Sequence, residues 1–232
     1  MITRIIGDVH AEWNSYLKLI KDTDNEFDNS VQVGDFGVGF LPPQRTEEMN
    51  HFLENSSKNH RFIRGNHDNP EICKTQMNGY IPDGTVDNDI MYIGGAWSID
   101  WQYRTPGVDW WRDEECSYEE LSNFIAIYEN IQPRVMITHD CPTTTAYHMF
   151  VKNGTSIGGK SLHLTRTGEA FQRMIEIHQP ELWIYGHWHH SCSMKIDNTF
   201  FVCLDELDYI DVDLKDSSKA IETIEKKIKE VK

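Results

Sequence analysis

The chain has 232 residues, 39% of them hydrophobic and 25% charged, the mix of a globular protein with a sizeable core rather than of a disordered one. Asp and Glu total 37 against 22 Lys and Arg, and the formal charge of -15 argues against a protein that coats nucleic acid, whose affinity comes from basic side chains on phosphate. Five widely spaced cysteines without a Cys-x-x-Cys pair, no signal-peptide pattern at residues 1–8 and no apolar run near 18 residues lead us to expect a cytoplasmic protein with reduced thiols and no membrane span.

In chain order, apolar, often β-branched runs at 3–6, 31–33, 61–63, 91–93, 135–138, 182–185, 200–204 and 209–214 read as buried strands. Helical spacing falls between several of them. Trp13, Leu17 and Ile20 share a face, as do Met49, Phe52 and Leu53. Ser117 and Glu120 have capping-box spacing and lead into the stripe Leu121, Phe124, Ile125, Tyr128. Phe171, Met174, Ile175 and His178 repeat the pattern until Pro180 ends it. This alternation indicates an α/β class, with some antiparallel pairing in the meander at 182–214. The tail carries Ile221, Ile224, Ile228 and Val231 on one stripe, so the expected division is a domain over 1–215 and a C-terminal amphipathic helix, 216–232, packed on it. Two long polar connections interrupt the pattern: 97–116, with Trp97, Trp101, Trp110, Trp111 and Arg104, and 140–165, rich in Thr, Gly and Ser. Loops of such length in a compact domain are often functional.

Five of the apolar runs end in Asp, Asn or His: Gly7-Asp8-Val9-His10, Gly34-Asp35, Gly65-Asn66-His67-Asp68, His139 and Gly186-His187-Trp188-His189. In α/β sheets, ligands bind beyond the carboxyl ends of the strands. If these ends converge, they bring together three oxygen ligands and four imidazoles. Asp8-x-His10 and His187-x-His189 have the spacing that puts both side chains on one side of an extended segment, and glycine before the ligands permits a sharp turn or close backbone approach. Seven ligands suit two metal ions sharing a carboxylate, and a mixed imidazole–carboxylate set suits Mn, Fe, Zn, Co or Ni more than Ca or Mg.

Taken jointly, these motifs, in order from residue 7 to residue 189, resemble the calcineurin-like metallophosphoesterases. The resemblance implies a four-layer α/β/β/α sandwich with two divalent ions, Mn foremost, at its edge. Asp8, His10 and His189 would hold one ion, Asn66, His139 and His187 the other, and Asp35 would bridge them. Such ions, roughly 3.5–4 Å apart, activate hydroxide and stabilise an in-line displacement at phosphorus. His67 would protonate the leaving oxygen. The implied activity is hydrolysis of a phosphomonoester or phosphodiester.

One departure from the family concerns the second motif. In the phosphoprotein-phosphatase branch it continues Gly-Asp-x-x-Asp-Arg-Gly; here it reads Gly34-Asp35-Phe36-Gly37-Val38-Gly39-Phe40, without the second acid or the Arg. That favours a small phosphoester, nucleotide or diester over a phosphoprotein and leaves open what orients His67, with Asp68 adjacent. The stretch 93–100, Ile-Gly-Gly-Ala-Trp-Ser-Ile-Asp, also resembles small viral and bacterial members.

Bland readings stand beside these. Arg104 either clamps a substrate phosphate or pairs with Asp100, Asp109 or Asp113. The tryptophans either stack a nucleobase or pack the loop, the latter favoured. Residues 154–161 match the phosphate-loop pattern Gly-x4-Gly-Lys-Ser, which would mean a nucleotide-binding protein, but 147–153 is a poor buried strand to precede it; Gly158, Gly159 and Lys160 could instead line the site's rim. A catalytically silent scaffold is the third alternative.

Overall fold

The computed structural model describes residues 1–22, 24–152 and 162–230. In chain order the strands are β1 (Thr3–Ile6), β2 (Asn29–Gln32), β3 (Asn59–Phe62), β4 (Thr85–Asp87), β5 (Ile90–Ile93), β6 (Val135–Thr138), β7 (Leu182–Tyr185), β8 (Cys192–Ile196), β9 (Thr199–Cys203) and β10 (Tyr209–Val212). The helices are α1 (Trp13–Asp22), α2 (Pro43–Asn55), α3 (Pro70–Gln76), α4 (Tyr118–Ile131), α5 (Thr143–Ala146), α6 (Arg166–Ile177) and α7 (Ser217–Glu230). One sheet runs β10-β1-β2-β3 and the other β4-β5-β6-β7-β9-β8. The central pairs are parallel; β10, β4 and β8 join antiparallel at the edges.

Period-two alternation sorts the strand residues into three cores. Ile5, Val31, Val135, Ile137, Leu182, Ile184 and Val202 meet between the sheets. Ile6 and Phe62 face outward against Trp13, Tyr16, Met49 and Leu53 of α1 and α2. Met136, Trp183, Tyr185 and Phe201 face the opposite way against Leu121, Tyr128, Phe171 and Met174 of α4 and α6. The result is a four-layer α/β/β/α sandwich. Strands covered on both faces have no wet side, which is why the sequence shows apolar runs and not polar alternation.

All eight expected runs are strands. The two unexpected ones, β4 and β8, are edge strands, where a partly solvated backbone tolerates Thr85, Asp87, Ser193 and Lys195. α4 begins with the expected capping box: Ser117 Oγ accepts from Glu120 N at 3.2 Å, and Ser117 N donates to Glu120 Oε2 at 2.8 Å. α3 has only seven residues, too few for periodicity to reveal; Asn69 caps it by accepting from Glu71 N and Ile72 N. Helix α7 lays Ala220 and Ile224 into the inter-sheet core.

The connection 140–165 is a correction: it holds α5 and a π-helical turn over Tyr147–Lys152. The segment leading into the phosphate-loop pattern is thus helical, not the strand such a loop requires. Residues 154–161, including Gly158, Gly159 and Lys160, lie outside the described residues. Among the described residues no helix is long and apolar enough to cross a membrane.

Candidate metal centre

The parallel strands β1, β2, β3, β6 and β7 deliver their following residues to one end of the sandwich. Asp8, His10, Asp35 and His189 each offer a ligand atom, and these atoms lie within 4.8 Å of one another. The local backbone is bent to do this. His10, Asp35, His187 and His189 all have φ between 47° and 65°, a left-handed conformation that costs a residue with a side chain roughly 1–2 kcal/mol. Close packing leaves no room for a Cβ at two of the glycines: one at Gly65 would meet Asp35 Oδ1 at 2.0 Å, and one at Gly186 would meet Asp8 Oδ1 at 2.2 Å.

The donor chemistry fits cations. His189 Nδ1 lies 3.1 Å from Glu206 Oε1, so the proton belongs on Nδ1. That leaves the Nε2 lone pair facing Asp8 Oδ2 at 3.1 Å and His10 Nε2 at 3.0 Å. His139 repeats the arrangement. Its Nδ1 lies 2.9 Å from the Val33 carbonyl, and its Nε2 faces Asn66 Oδ1 at 3.0 Å and Asp35 Oδ1 at 3.3 Å. Acceptors converging in this way need a proton or a metal ion between them. Asp8 and Asp35 are buried, and among the described residues their charged side-chain partners within 4 Å are imidazoles alone. Without a cation the balance falls on protons. Burial opposes a charged His139, yet Asp35, by charge and hydrogen bond, and Asp8 push it up to about 10. Burial likewise opposes ionisation of Asp35, but His139, His67 and His10 hold it well below the usual carboxylate range.

Asp35 is the centre of the cluster. Its Oδ1 faces His139 and accepts from His67 N at 2.7 Å, while Oδ2 lies 3.8 Å from His10 Nε2. His187 packs against His139 with ring centroids 5.0 Å apart, and its N–H lies 3.2 and 3.1 Å from the two Asp8 oxygens. All seven sequence-picked candidates (Asp8, His10, Asp35, Asn66, His139, His187, His189) are therefore brought to one place. His190 turns away and meets Phe150 edge-on.

His67 lies beside the cluster, 5.0 Å from the His10 ring and stacked on Phe40. Asp68 does not orient it. The Asp68 carboxylate accepts from the N–H groups of Phe36, Gly37, Val38 and Gly65, stitching the second motif to the third; burial and the Asp35 charge push it up to about 7 against those donors. His67 instead meets Arg104, whose Nη2 lies 2.9 Å from its Nε2. Burial lowers the His67 pKa, with Asp35 opposing and Arg104 adding to the effect. Arg104 is held by Asp100 through two bonds of 2.7 and 2.8 Å and donates to the Asp109 carbonyl at 3.2 Å. Both readings of Arg104 thus have a counterpart, since it is ion-paired and it reaches the site.

The tryptophans divide. Trp111 is buried against Phe40, and Trp101 and Trp110 pack on each other at 5.7 Å. Trp97 lines a cleft that opens beside His187, walled also by Ile99, Leu162, His163 and Trp188.

Sequence reading missed Glu206, Ser98 and Glu114. Glu206 had a signal, because it follows the 200–204 run as a sixth strand end carrying acids. Ser98 had a weaker one, since it stands in the 93–100 stretch that runs on from a strand, and Glu114 had none, since it neither follows a strand nor stands in a motif.

A two-sheet α/β/β/α sandwich with a His/Asp cluster beyond its parallel strand ends describes a metal-dependent hydrolase. The family of calcineurin-like phosphoesterases matches residues 3–191, and the chain belongs to that family, a class of phosphoester hydrolases. Among solved structures, TT1561 of Thermus thermophilus superposes with a TM-score of 0.57 at 10% identity, over 92% of this chain and 99% of that one. Phosphopantetheinyl hydrolase from Mycobacterium tuberculosis gives a TM-score of 0.50 at 13% identity, over 88% and 89%. At these identities the likeness is one of fold. No curated protein matches the chain significantly.

Proposed function

We propose that this protein hydrolyses small phosphoesters, a phosphomonoester, nucleotide or phosphodiester, at a centre of two divalent ions. Asp8, His10 and His189 would hold one ion, Asn66, His139 and His187 the other, and Asp35 would serve both. The observation that carries this reading is the placement of Asp35, whose two oxygens face His10 on one side and His139 on the other. The mixed imidazole–carboxylate donor set suits Mn, Fe, Zn, Co or Ni, and the family resemblance puts Mn first among them. When bound, the ions supply Lewis-acid stabilisation of the phosphoryl charge and a hydrolytic nucleophile near neutral pH.

The chain's own groups do the rest. Arg104 is within reach to bind a phosphoryl oxygen through its guanidinium N–H groups. While it donates to His67 Nε2, that nitrogen holds no proton. A phosphoryl group that draws Arg104 away leaves His67 able to carry a proton to the leaving oxygen. The cleft beside His187 receives the leaving group against Trp97 and Trp188. Such a mostly apolar cleft supports a small ester over an extended phosphoprotein segment. Val38, buried where the phosphoprotein-phosphatase branch carries its second acid, points the same way.

The test is metal content after purification, followed by hydrolysis of bis- and mono-p-nitrophenyl phosphate with Mn(II). Turnover of the diester indicates a phosphodiesterase, and turnover of the monoester alone a phosphatase. Absence of both bound metal and turnover would mean a silent scaffold and sink the proposal.

A further inference from the structure

The tryptophan-rich loop reaches the metal centre through a chain of three buried polar side chains. Asn66 Nδ2 donates to Ser98 Oγ at 3.0 Å. Ser98 Oγ donates to Glu114 Oε2 at 2.6 Å, and Ser98 N donates to Glu114 Oε1 at 2.9 Å. Asn66, Ser98 and Glu114 are 3%, 2% and 3% exposed, so water does not stand in for a missing partner.

The polarity of this chain follows from the donor inventory. A carboxylate only accepts. Glu114 therefore takes the single hydroxyl proton of Ser98, and the Ser98 oxygen is left to accept. From Asn66 it accepts only the amide NH2. The Asn66 oxygen is thereby turned to the opposite side, where it lies 3.0 Å from His139 Nε2. The two ends of an amide have nearly the same shape, so packing alone discriminates weakly between them; hydrogen bonding does. The frame is tied as well: Arg64, two residues before Asn66, donates from Nη1 to the Glu114 carbonyl at 2.7 Å. Loop and strand end are thus fixed relative to each other.

We propose that Glu114, acting through Ser98, is a positioning residue that selects which end of the Asn66 amide faces the metal centre. The inference rests on Asn66 serving as a ligand, as proposed above. With the oxygen inward the amide offers a lone pair to a cation; with the nitrogen inward it offers N–H protons and repels one. The 93–100 stretch thereby acquires two tasks, because Ser98 sets Asn66 and Asp100 holds Arg104 against His67.

Glu114→Gln tests this by reversing the polarity. The introduced amide keeps an acceptor for Ser98 N but presents NH2 to Ser98 Oγ. The buried Ser98 proton then finds a partner by donating to Asn66, which accepts only through its oxygen and so turns its NH2 inward. Metal-free, full-length protein is titrated with Mn(II), and free ion is read by electron paramagnetic resonance. The expected result is a roughly 10–100-fold weaker binding step, the size seen when the support of a metal ligand is lost, with the melting temperature of the metal-free protein unchanged. In an Asn66→Asp background the same Glu114 substitution should leave Mn(II) affinity nearly unchanged, because a carboxylate offers oxygen at both ends. Ser98→Ala, which frees the amide, carries the same expectation of weakened binding should Glu114→Gln fail to fold. Equal Mn(II) affinity in wild type and both single variants overturns the relay, as does an equal loss whether Glu114→Gln is made in the wild type or in the Asn66→Asp background. Failure of the wild type to bind Mn(II) at all would instead overturn the metal-centre reading beneath it.

Discussion

Asp35 and His67 sit side by side yet carry separable roles. Asp35 is buried, and its two oxygens face different donor groups. In Asp35→Asn a neutral amide replaces the central negative charge and puts N–H where an acceptor stood. Metal occupancy and turnover should both fall, by at least the roughly 10–100-fold that losing a mere supporting partner costs; full retention of either, read by elemental analysis and steady-state kinetics, would remove Asp35 from the centre. Among the described residues, His67 touches the cluster through its backbone N–H and ring packing against His10, and its ring meets Arg104. His67→Ala should therefore keep the metal and lose rate, about 10²–10⁴-fold for an alkyl ester whose leaving oxygen needs a proton. The loss should shrink for a nitrophenyl ester, whose leaving group departs unprotonated. An equal loss for both esters would show that His67 is not the acid.

Elements present these residues because of local rules that act far from the chemistry. The Ser117–Glu120 capping box starts α4, whose Leu121 and Tyr128 cover the outer face of the larger sheet next to Met136 and Trp183. Strand β6, which delivers His139, is buried beneath that layer. Ser117→Ala should cost about 1 kcal/mol, the usual value of an N-cap. It should appear as a lower urea midpoint with an unchanged slope and unchanged KM, since the cap does not touch the site. A change in KM at constant stability would mean that α4 positions the site more directly than its contacts indicate. Asp68 works at the same scale. It orients no catalytic group, but four backbone N–H donors converge on it and bind two motif loops into one rigid edge.

The whole molecule brings buried carboxylates together without a Lys or Arg partner at the cluster, among the described residues, so its stability is tied to what neutralises them. A ligand that binds only the folded state at 100 times its Kd adds about 2.7 kcal/mol, and for a domain of this size each kcal/mol is roughly 2–4 °C in Tm. Adding Mn(II) to chelated protein should raise Tm by about 5–10 °C, and re-chelation should reverse it. A Tm indifferent to Mn(II) would mean that the folded cluster binds no ion. At this scale the sequence already determined a great deal by itself: the α/β class, eight of the ten strands and the seven-residue cluster. The strands were written in local order, as apolar runs buried on both faces, five of them ending in Asp, Asn or His, and backbone periodicity is a short-range property. Only the tertiary structure decided that Arg104 meets His67 from 37 residues away, that Glu206 backs His189 and that Ser98 spans 32 residues to reach Asn66. Those partners lie on irregular segments, where no repeat marks the direction of a side chain. Their pairing is fixed by which loops the packed sheets bring edge to edge, a long-range consequence of the core that no window along the chain contains.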